Sequence, residues 1–219
     1  MGTFWSRTVS STYALHWEHG EFASLFGEMI YSPQLDHTYW NMRVEAQVRR
    51  KLPILGDHTV VTARVLAGTS LHYEGRAYAV GGSSFAPANL WRPWSQVRNA
   101  VRGYPTHTQT GDHYYSSSAT ITFPLRWLGF GYATFPFYFR RLSAKLFVDF
   151  GQAISTSAPE WDPLLGVGGE IRLHMVQGYE VQTDISIGVS RGVDDSGDWM
   201  WYIQVGSPLP QSIFQTRAR

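Results

Sequence analysis

Histidine, serine and acidic side chains are the residues of this chain whose types could support catalysis or bind a metal ion. The histidines are scattered, without an HExxH motif or another short ligand spacing: His16, His19, His37, His58, His72, His107, His113 and His174. No Gly-x-Ser-x-Gly elbow, the turn that presents a catalytic serine in many hydrolases, is present. We therefore expect no catalytic residue, no metal site and no cofactor, and we expect that the protein is not an enzyme.

One acidic run remains as a candidate for ion binding. Asp194-Asp195-Ser196-Gly197-Asp198 could offer carboxylate oxygens to a calcium ion. The same composition is typical of a solvated turn, and we expect the turn because Asp, Ser and Gly are common in surface loops.

The overall charge argues against a nucleic-acid partner. The chain has 18 Lys and Arg residues against 17 Asp and Glu residues, so it lacks the basic field that nucleic-acid binding usually needs. Cysteine is absent, which removes disulfides and thiolate metal sites.

Nine stretches alternate apolar and polar residues with the period of two that is typical of β-strands. In the clearest stretch an apolar set alternates with a polar set: Trp40, Met42, Val44, Ala46 and Val48 against Asn41, Arg43, Glu45, Gln47 and Arg49. The predicted strands are 10–19, 21–31, 38–50, 58–68, 113–124, 142–152, 164–176, 180–190 and 198–206. The sequence therefore predicts an all-β fold, in which segment 125–141 either extends the neighbouring strands or lies at an interface.

The composition and the strand lengths indicate that the apolar faces of the strands contact lipid instead of a protein core. The chain has 9 Trp, 12 Tyr and 12 Phe, whereas 16% of its residues are charged, as is typical of membrane barrels with interfacial aromatic residues. Most predicted strands have about the ten residues that a tilted membrane strand requires. The longest conspicuous apolar run, 127–139, is shorter than the about 20 residues of a spanning helix. We therefore predict an antiparallel transmembrane β-barrel.

The connections alternate in length, as they do in membrane barrels. The links at His19-Gly20, 51–57 and Gln177-Gly178 are short, whereas those at 69–112, 153–163 and 191–197 are longer. Residues 1–5 show no basic segment followed by an apolar one, so we find no signal peptide and expect a mature form or a piece of a longer polypeptide.

The longest connection, about 69–112, is far longer than the usual loop, and loops of that size are usually functional or disordered. It contains Trp91, Trp94 and the sequence Val101-Arg102-Gly103-Tyr104-Pro105. This composition indicates that the loop folds onto the rest of the protein, because it combines aromatic residues, an arginine and a Gly-Tyr-Pro turn.

Val101-Arg102-Gly103-Tyr104 resembles the loop signature of the bacterial surface antigen superfamily, the BamA-like and TamA-like assembly and translocation barrels of outer membranes. Phe147-Val148-Asp149-Phe150-Gly151 resembles the family's Phe-x-Asp-x-Gly strand, and Gly166 to Arg172 resembles its next glycine-rich strand. The resemblance implies that the long loop turns back into the barrel lumen. There Arg102 would meet Asp149, which the alternation places on the inward face.

The sequence departs from the family pattern at two places. A glutamate is common on the strand after the loop, where this chain has Thr120 or Thr122, so the expected lumen partners of the loop are Asp149, Thr120 and Glu170. The last strand is followed by a tail to Arg219 instead of ending on an aromatic residue. Either Phe214 is the terminal aromatic residue in a displaced position, or this chain has a degenerate form of that terminal signal.

The resemblance covers nearly the whole chain but implies only about nine strands of a sixteen-stranded barrel. Residues 1–219 would then form the C-terminal portion of the barrel, which a second chain or a missing N-terminal segment would complete. The implied function is assembly of outer-membrane proteins or polypeptide translocation in a bacterial or organellar outer membrane. The implied partners are the lipid bilayer and a client β-barrel or secreted polypeptide, which would meet the seam strand bearing Trp201, Ile203 and Val205.

Two alternatives remain open at the level of sequence. One is an outer-membrane protease or lipase with a catalytic site on its loops. The other is a soluble β-sandwich that binds carbohydrate through exposed Trp and Tyr side chains. Solubility without detergent would favour the sandwich over a membrane barrel.

Overall fold

The computed structural model describes residues 2–9, 19–32, 37–71, 78–82, 101–131, 136–157, 159–178 and 181–206. The longer strands are β1 (Gly2–Val9), β2 (His19–Ser32), β3 (His37–Lys51), β4 (Val60–Leu71), β7 (His113–Gly131), β8 (Phe137–Ile154), β9 (Leu164–Gln177), β10 (Val181–Gly192) and β11 (Trp199–Gly206). Two short strands, β5 (Tyr78–Val80) and β6 (Gln109–Gly111), lie within the long connection between β4 and β7.

The nine longer strands form one antiparallel sheet in the order β1-β2-β3-β4-β7-β8-β9-β10-β11. β5 pairs with β6 in a separate two-stranded sheet. Within the described residues, β1 pairs only with β2 and β11 only with β10, so the sheet is not closed. The predicted all-β class and antiparallel arrangement are confirmed.

No helix in the described part of the chain is long and apolar enough to cross a membrane. The helical element recorded there is a single 3₁₀ turn at Pro53–Leu55, between β3 and β4.

Eight of the nine predicted strands coincide with strands of the sheet to within a few residues, apart from extensions of β7 and β8. The prediction of a strand at 10–19 is wrong at its C-terminal end, because His19 and Gly20 begin β2 instead of forming a turn. Residues 10–18 lie outside the described residues. The first strand of the sheet is Gly2–Val9, a segment without strict alternation that sequence analysis missed.

Segment 125–141 extends the neighbouring strands, which was one of the two arrangements that the sequence left open. β7 continues to Gly131 and β8 begins at Phe137. The ladder between them shifts register at Pro124/Arg126 and again at Trp127/Phe130. Proline cannot donate a ladder hydrogen bond, and such irregularities are where strands accommodate it.

The two faces of the sheet differ in polarity. We call the face against which β5 and β6 pack the inner face, and the opposite face the outer face. Buried polar residues follow the inner face, including Glu45 (5% exposed), Asp149 (1%) and Glu170 (4%). Large apolar side chains of the outer face are exposed across the sheet: Leu25, Trp40, Met42, Val44, Val48, Val65, Leu146, Val148, Val167, Ile171, Ile187, Val189, Trp201, Ile203 and Val205.

The described parts of the long connection, 78–82 and 101–112, supply a small apolar cluster to the inner face. Val80, Val101 and Tyr104, each fully buried, come from the connection. Leu66 and Leu164 come from the strands below. Trp91 and Trp94 of the long loop lie outside the described residues.

Candidate functional site

We call the four loop residues Val101-Arg102-Gly103-Tyr104 the VRGY segment. All four are buried where the loop packs on the inner face. The Arg102 guanidinium donates two hydrogen bonds to the Asp149 carboxylate, from Nε to Oδ2 at 2.5 Å and from Nη2 to Oδ1 at 2.7 Å. This is the bidentate geometry that makes arginine–carboxylate pairs strong and directional. The structure thus brings together the two side chains that the family resemblance pairs.

Three further groups hold this pair. The Arg102 backbone amide donates to Asp149 Oδ2 at 3.3 Å, and the Ser118 hydroxyl donates to Asp149 Oδ1 at 2.7 Å. The guanidinium carbon lies 3.2 Å from the centroid of the Phe147 ring, so the cation also stacks on an aromatic face. The carboxylate therefore accepts four hydrogen bonds, which compensate for removing it from water.

The balance of burial and charge at Arg102 favours its charged form. Burial lowers the pKa of the guanidinium, but the hydrogen bond to Asp149 and the charge of that carboxylate outweigh burial and leave the pKa raised. The hydroxyl of Tyr202 adds to the same effect. Arg102 is therefore a permanent cation in a site where its side chain is 8% exposed.

Tyr104 anchors the other end of the VRGY segment. Its hydroxyl oxygen lies 2.6 Å from Asp194 Oδ2 and 2.9 Å from the Leu165 carbonyl oxygen, and it accepts the Leu165 amide at 3.1 Å. Asp194 thus receives a hydrogen bond from the loop, whereas its sequence context predicts a solvated turn. Burial and the hydrogen bond to Asp194 raise the pKa of Tyr104.

Glycines let the VRGY segment lie directly on the sheet. Gly103 has φ of 98° and a Cβ there would come within 2.3 Å of the Arg191 and Gly192 backbone. A Cβ on Gly166 of β9 would lie 1.9 Å from the Arg102 carbonyl oxygen. Any side chain at either position would displace the segment, so both glycines are required for this contact.

Thr120 and Glu170 are the two further predicted partners of the loop. Within the described residues, neither side chain forms a hydrogen bond with the VRGY segment. Thr120 lies on β7 beside Thr62 and Phe147 in the ladder, whereas Ser118 makes the contact with Asp149. Glu170 binds Arg172, with Nη2 to Oε1 at 2.5 Å, and accepts the Tyr202 hydroxyl at 3.1 Å. The polar partners of Glu170, namely Arg172, Tyr202 and Lys145, all lie on strands of the sheet.

A serine, a histidine and an aspartate also line up on the inner face. His174 Nε2 lies 3.0 Å from Ser143 Oγ, and His174 Nδ1 lies 2.6 Å from Asp184 Oδ1. This order resembles that of a hydrolase triad. Ser143 is 1% exposed and His174 is 6% exposed, so no substrate can approach the hydroxyl in this structure. The geometry supports cross-strand hydrogen bonding.

The predicted seam strand is β11, at one edge of the described sheet. Trp201 is 78% exposed, Ile203 52% and Val205 59%, all on the outer face. Between them Tyr202 turns to the inner face and contacts Glu170. The three predicted residues therefore lie apart from the VRGY segment and on the opposite face.

Three contacts were not predicted from the sequence: Ser118 with Asp149, Phe147 with Arg102, and Tyr202 with Glu170. Alternation places Ser118 on the same face as Asp149, and the ladder makes the two residues direct neighbours on β7 and β8. That register was the available signal. It depends on the length of the loops at both ends of the strands, which the sequence does not fix.

No group of three or more His, Asp or Glu side chains within the described ranges is placed to hold a metal ion. No family model and no curated protein matches this chain.

Proposed function

We propose that this chain is the C-terminal portion of a transmembrane β-barrel of the BamA-like superfamily, acting in outer-membrane protein assembly or polypeptide translocation. The single observation that carries the proposal is the buried bidentate pair between Arg102, at the tip of the long loop, and Asp149 on the inner face. That pair fixes the VRGY segment against the inner face of the strands, as a loop that braces a lumen would be fixed.

The polarity of the two faces supports a lipid environment. In a soluble sandwich the apolar face of a sheet is covered by the core, and the polar face meets water. Here the described part of the long loop packs on the charged inner face, whereas the apolar outer face is exposed over strands β2 to β11. Exposed apolar surface of that extent is characteristic of membrane or protein contacts.

Strand direction constrains what completes the sheet. Nine antiparallel strands leave β1 and β11 running in the same direction. A barrel closed by antiparallel pairing throughout therefore needs an odd number of further strands, a condition that a sixteen-stranded barrel meets. A second copy inserted in the same orientation would meet β11 with a parallel β1, so an N-terminal segment of a longer polypeptide fits better than a second copy.

The proposed seam can be tested by disulfide trapping, because the chain contains no cysteine. A single cysteine at Ile203 of β11 is compared with a single cysteine at Val65 of β4. The two side chains are equally exposed on the outer face, 52% and 54%, but β4 is paired on both sides and β11 on one. With a client barrel that carries a cysteine in its last strand, we expect a crosslink at position 203 and little at position 65.

Fractionation of the cells used for crosslinking, into outer membranes and an aqueous fraction, provides the second measurement. The proposal requires the chain to partition with outer membranes and to dissolve only in detergent. Equal crosslinking at both positions would contradict a client-binding seam. Recovery of the folded chain in the aqueous fraction would contradict the membrane assignment and favour the soluble sandwich.

A further inference from the structure

Tyr202 reaches across a neighbouring strand to contact a third. Glu170, Gly188 and Tyr202 are direct partners in the β9–β10–β11 ladder, so they lie in one row across the sheet. The Tyr202 hydroxyl donates to Glu170 Oε2 at 3.1 Å. The ring passes over Gly188, where a Cβ would come within 2.4 Å of the ring carbon Cζ. Glycine at 188 is therefore what allows the contact.

The same row continues to the loop. Lys145 pairs with Glu170 in the β8–β9 ladder, and its Nζ lies 3.4 Å from Glu170 Oε2. Lys145 Nζ also lies 5.9 Å from the centroid of the Phe147 ring, on which the Arg102 guanidinium stacks at 3.2 Å. The Tyr202 hydroxyl of the edge strand is thus connected to the Arg102–Asp149 pair through Glu170, Lys145 and the Phe147 ring.

We infer that Tyr202 is a positioning residue that couples the edge strand β11 to the VRGY segment. β11 has one ladder partner in the described sheet, so its position depends more on side-chain contacts than that of an interior strand. Displacement of β11 removes the hydroxyl from Glu170, which also holds Lys145 beside the Phe147 ring. The interpretation of that displacement as opening for a client strand rests on the proposed function, whereas the coupling itself does not.

The test is hydrogen exchange of the full chain carrying Tyr202→Phe, which deletes the hydroxyl and keeps the ring. We expect exchange of the β11 ladder amides to accelerate on the order of tenfold, since one hydrogen bond to a charged group is lost. Because Glu170 and Lys145 connect Tyr202 to the Phe147 ring beside Arg102, the Arg102 amide should also exchange several-fold faster. Tyr115→Phe is the matched control, because it removes a hydroxyl that bonds Gln152 between interior strands β7 and β8.

Gly188→Ala supplies a second variant that keeps the hydroxyl. The new Cβ displaces the Tyr202 ring, so we expect the same two increases in exchange. In the double variant Gly188→Ala with Tyr202→Phe, exchange should be little faster than in either single variant, because both changes remove the same contact.

Acceleration confined to β11, with the Arg102 amide unchanged in both variants, would overturn the coupling. Acceleration of both sites by Tyr115→Phe would do so as well, by showing a general loss of stability. These outcomes are independent of fractionation. A chain found in the aqueous fraction would contradict the proposed function and leave the coupling measurable.

Discussion

The inner face contains two arginine–carboxylate pairs of the same chemistry in different surroundings. Arg102 and Asp149 join the long loop to β8, with side chains 8% and 1% exposed. Arg64 and Glu45 join adjacent strands β4 and β3, with Nε to Oε1 at 2.9 Å and side chains 28% and 6% exposed. The first pair is bidentate, carries a stacked Phe147 ring and is the more deeply buried of the two.

The difference shows which pair determines tertiary structure. β3 and β4 are already joined by a continuous ladder from Trp40/Leu71 to Lys51/Val60, so the Arg64–Glu45 pair adds to a contact that exists without it. The VRGY segment has no ladder to the sheet. Its position depends on Arg102, on Tyr104 and on the close contact with Gly166.

The largest effect that follows from this comparison is expected for Arg102→Ala. The change leaves Asp149 buried without its cation, and loss of one partner of a buried pair costs about 3–5 kcal/mol. Arg64→Ala, the matched control, removes a more exposed arginine and leaves Arg43 3.7 Å from Glu45, so it should cost less, about 1–2 kcal/mol. Urea unfolding gives the free energies, and protease resistance of the loop reports its attachment. A loop equally resistant in both variants would contradict the role of the Arg102–Asp149 pair.

Much of the sheet could be predicted because alternation is local. The apolar set Trp40, Met42, Val44 lies on the outer face as the period of two requires, with Glu45 buried on the other. The same period places Asp149 on the inner face, and the motif likeness then names Arg102 as its partner. Each of these steps needs only neighbouring residues or a short motif.

The contacts that could not be predicted from the sequence depend on the register between strands and on close contacts between backbone segments. Ser118, not Thr120, meets Asp149 because the β7–β8 ladder puts Ser118 opposite it. Gly166 is required only because the Arg102 carbonyl lies on it. Tyr202 meets Glu170 across an intervening glycine, a relation between three strands that no single-strand pattern contains.

A second expected effect compares the two faces of one strand. Val148 is 46% exposed on the outer face, beside Asp149 on the inner face. Val148→Lys should impair insertion by about 2–4 kcal/mol if that face contacts lipid, and it should have little effect in water. Val193→Lys, at an exposed position in the loop after β10, is the control. The measurement is folding into lipid vesicles at graded urea, and a neutral Val148→Lys would argue against lipid contact.

A smaller effect should come from Gly166→Ala. The added Cβ would lie 1.9 Å from the Arg102 carbonyl oxygen, so the VRGY segment must move, at a cost of about 1–3 kcal/mol. Gly169→Ala on the same strand meets first a flexible Leu146 methyl at 3.3 Å and should be tolerated. Hydrogen exchange at the Arg102 amide distinguishes a displaced loop from a weakened strand, because only displacement exposes that amide.

The smallest effect is expected for Tyr104→Phe, and it should depend on pH. The hydroxyl bonds Asp194 and Leu165, so its loss costs about 1–2 kcal/mol near neutral pH. Folding raises the pKa of Tyr104 above its ordinary value of 10.0, so the folded state holds the proton more tightly than the unfolded state. The stabilisation is therefore complete below pH 10 and is lost as the pH rises through the folded pKa.

The stability difference between the parent chain and Tyr104→Phe isolates this titration from that of the lysines, which both proteins share. We expect the difference to be constant from about pH 7 to 9 and to shrink above about pH 10. A difference that stayed constant through that range would mean that the hydroxyl does not anchor the segment. The polar attachment of the segment would then depend mainly on the Arg102–Asp149 pair, because arginine keeps its charge over the whole range.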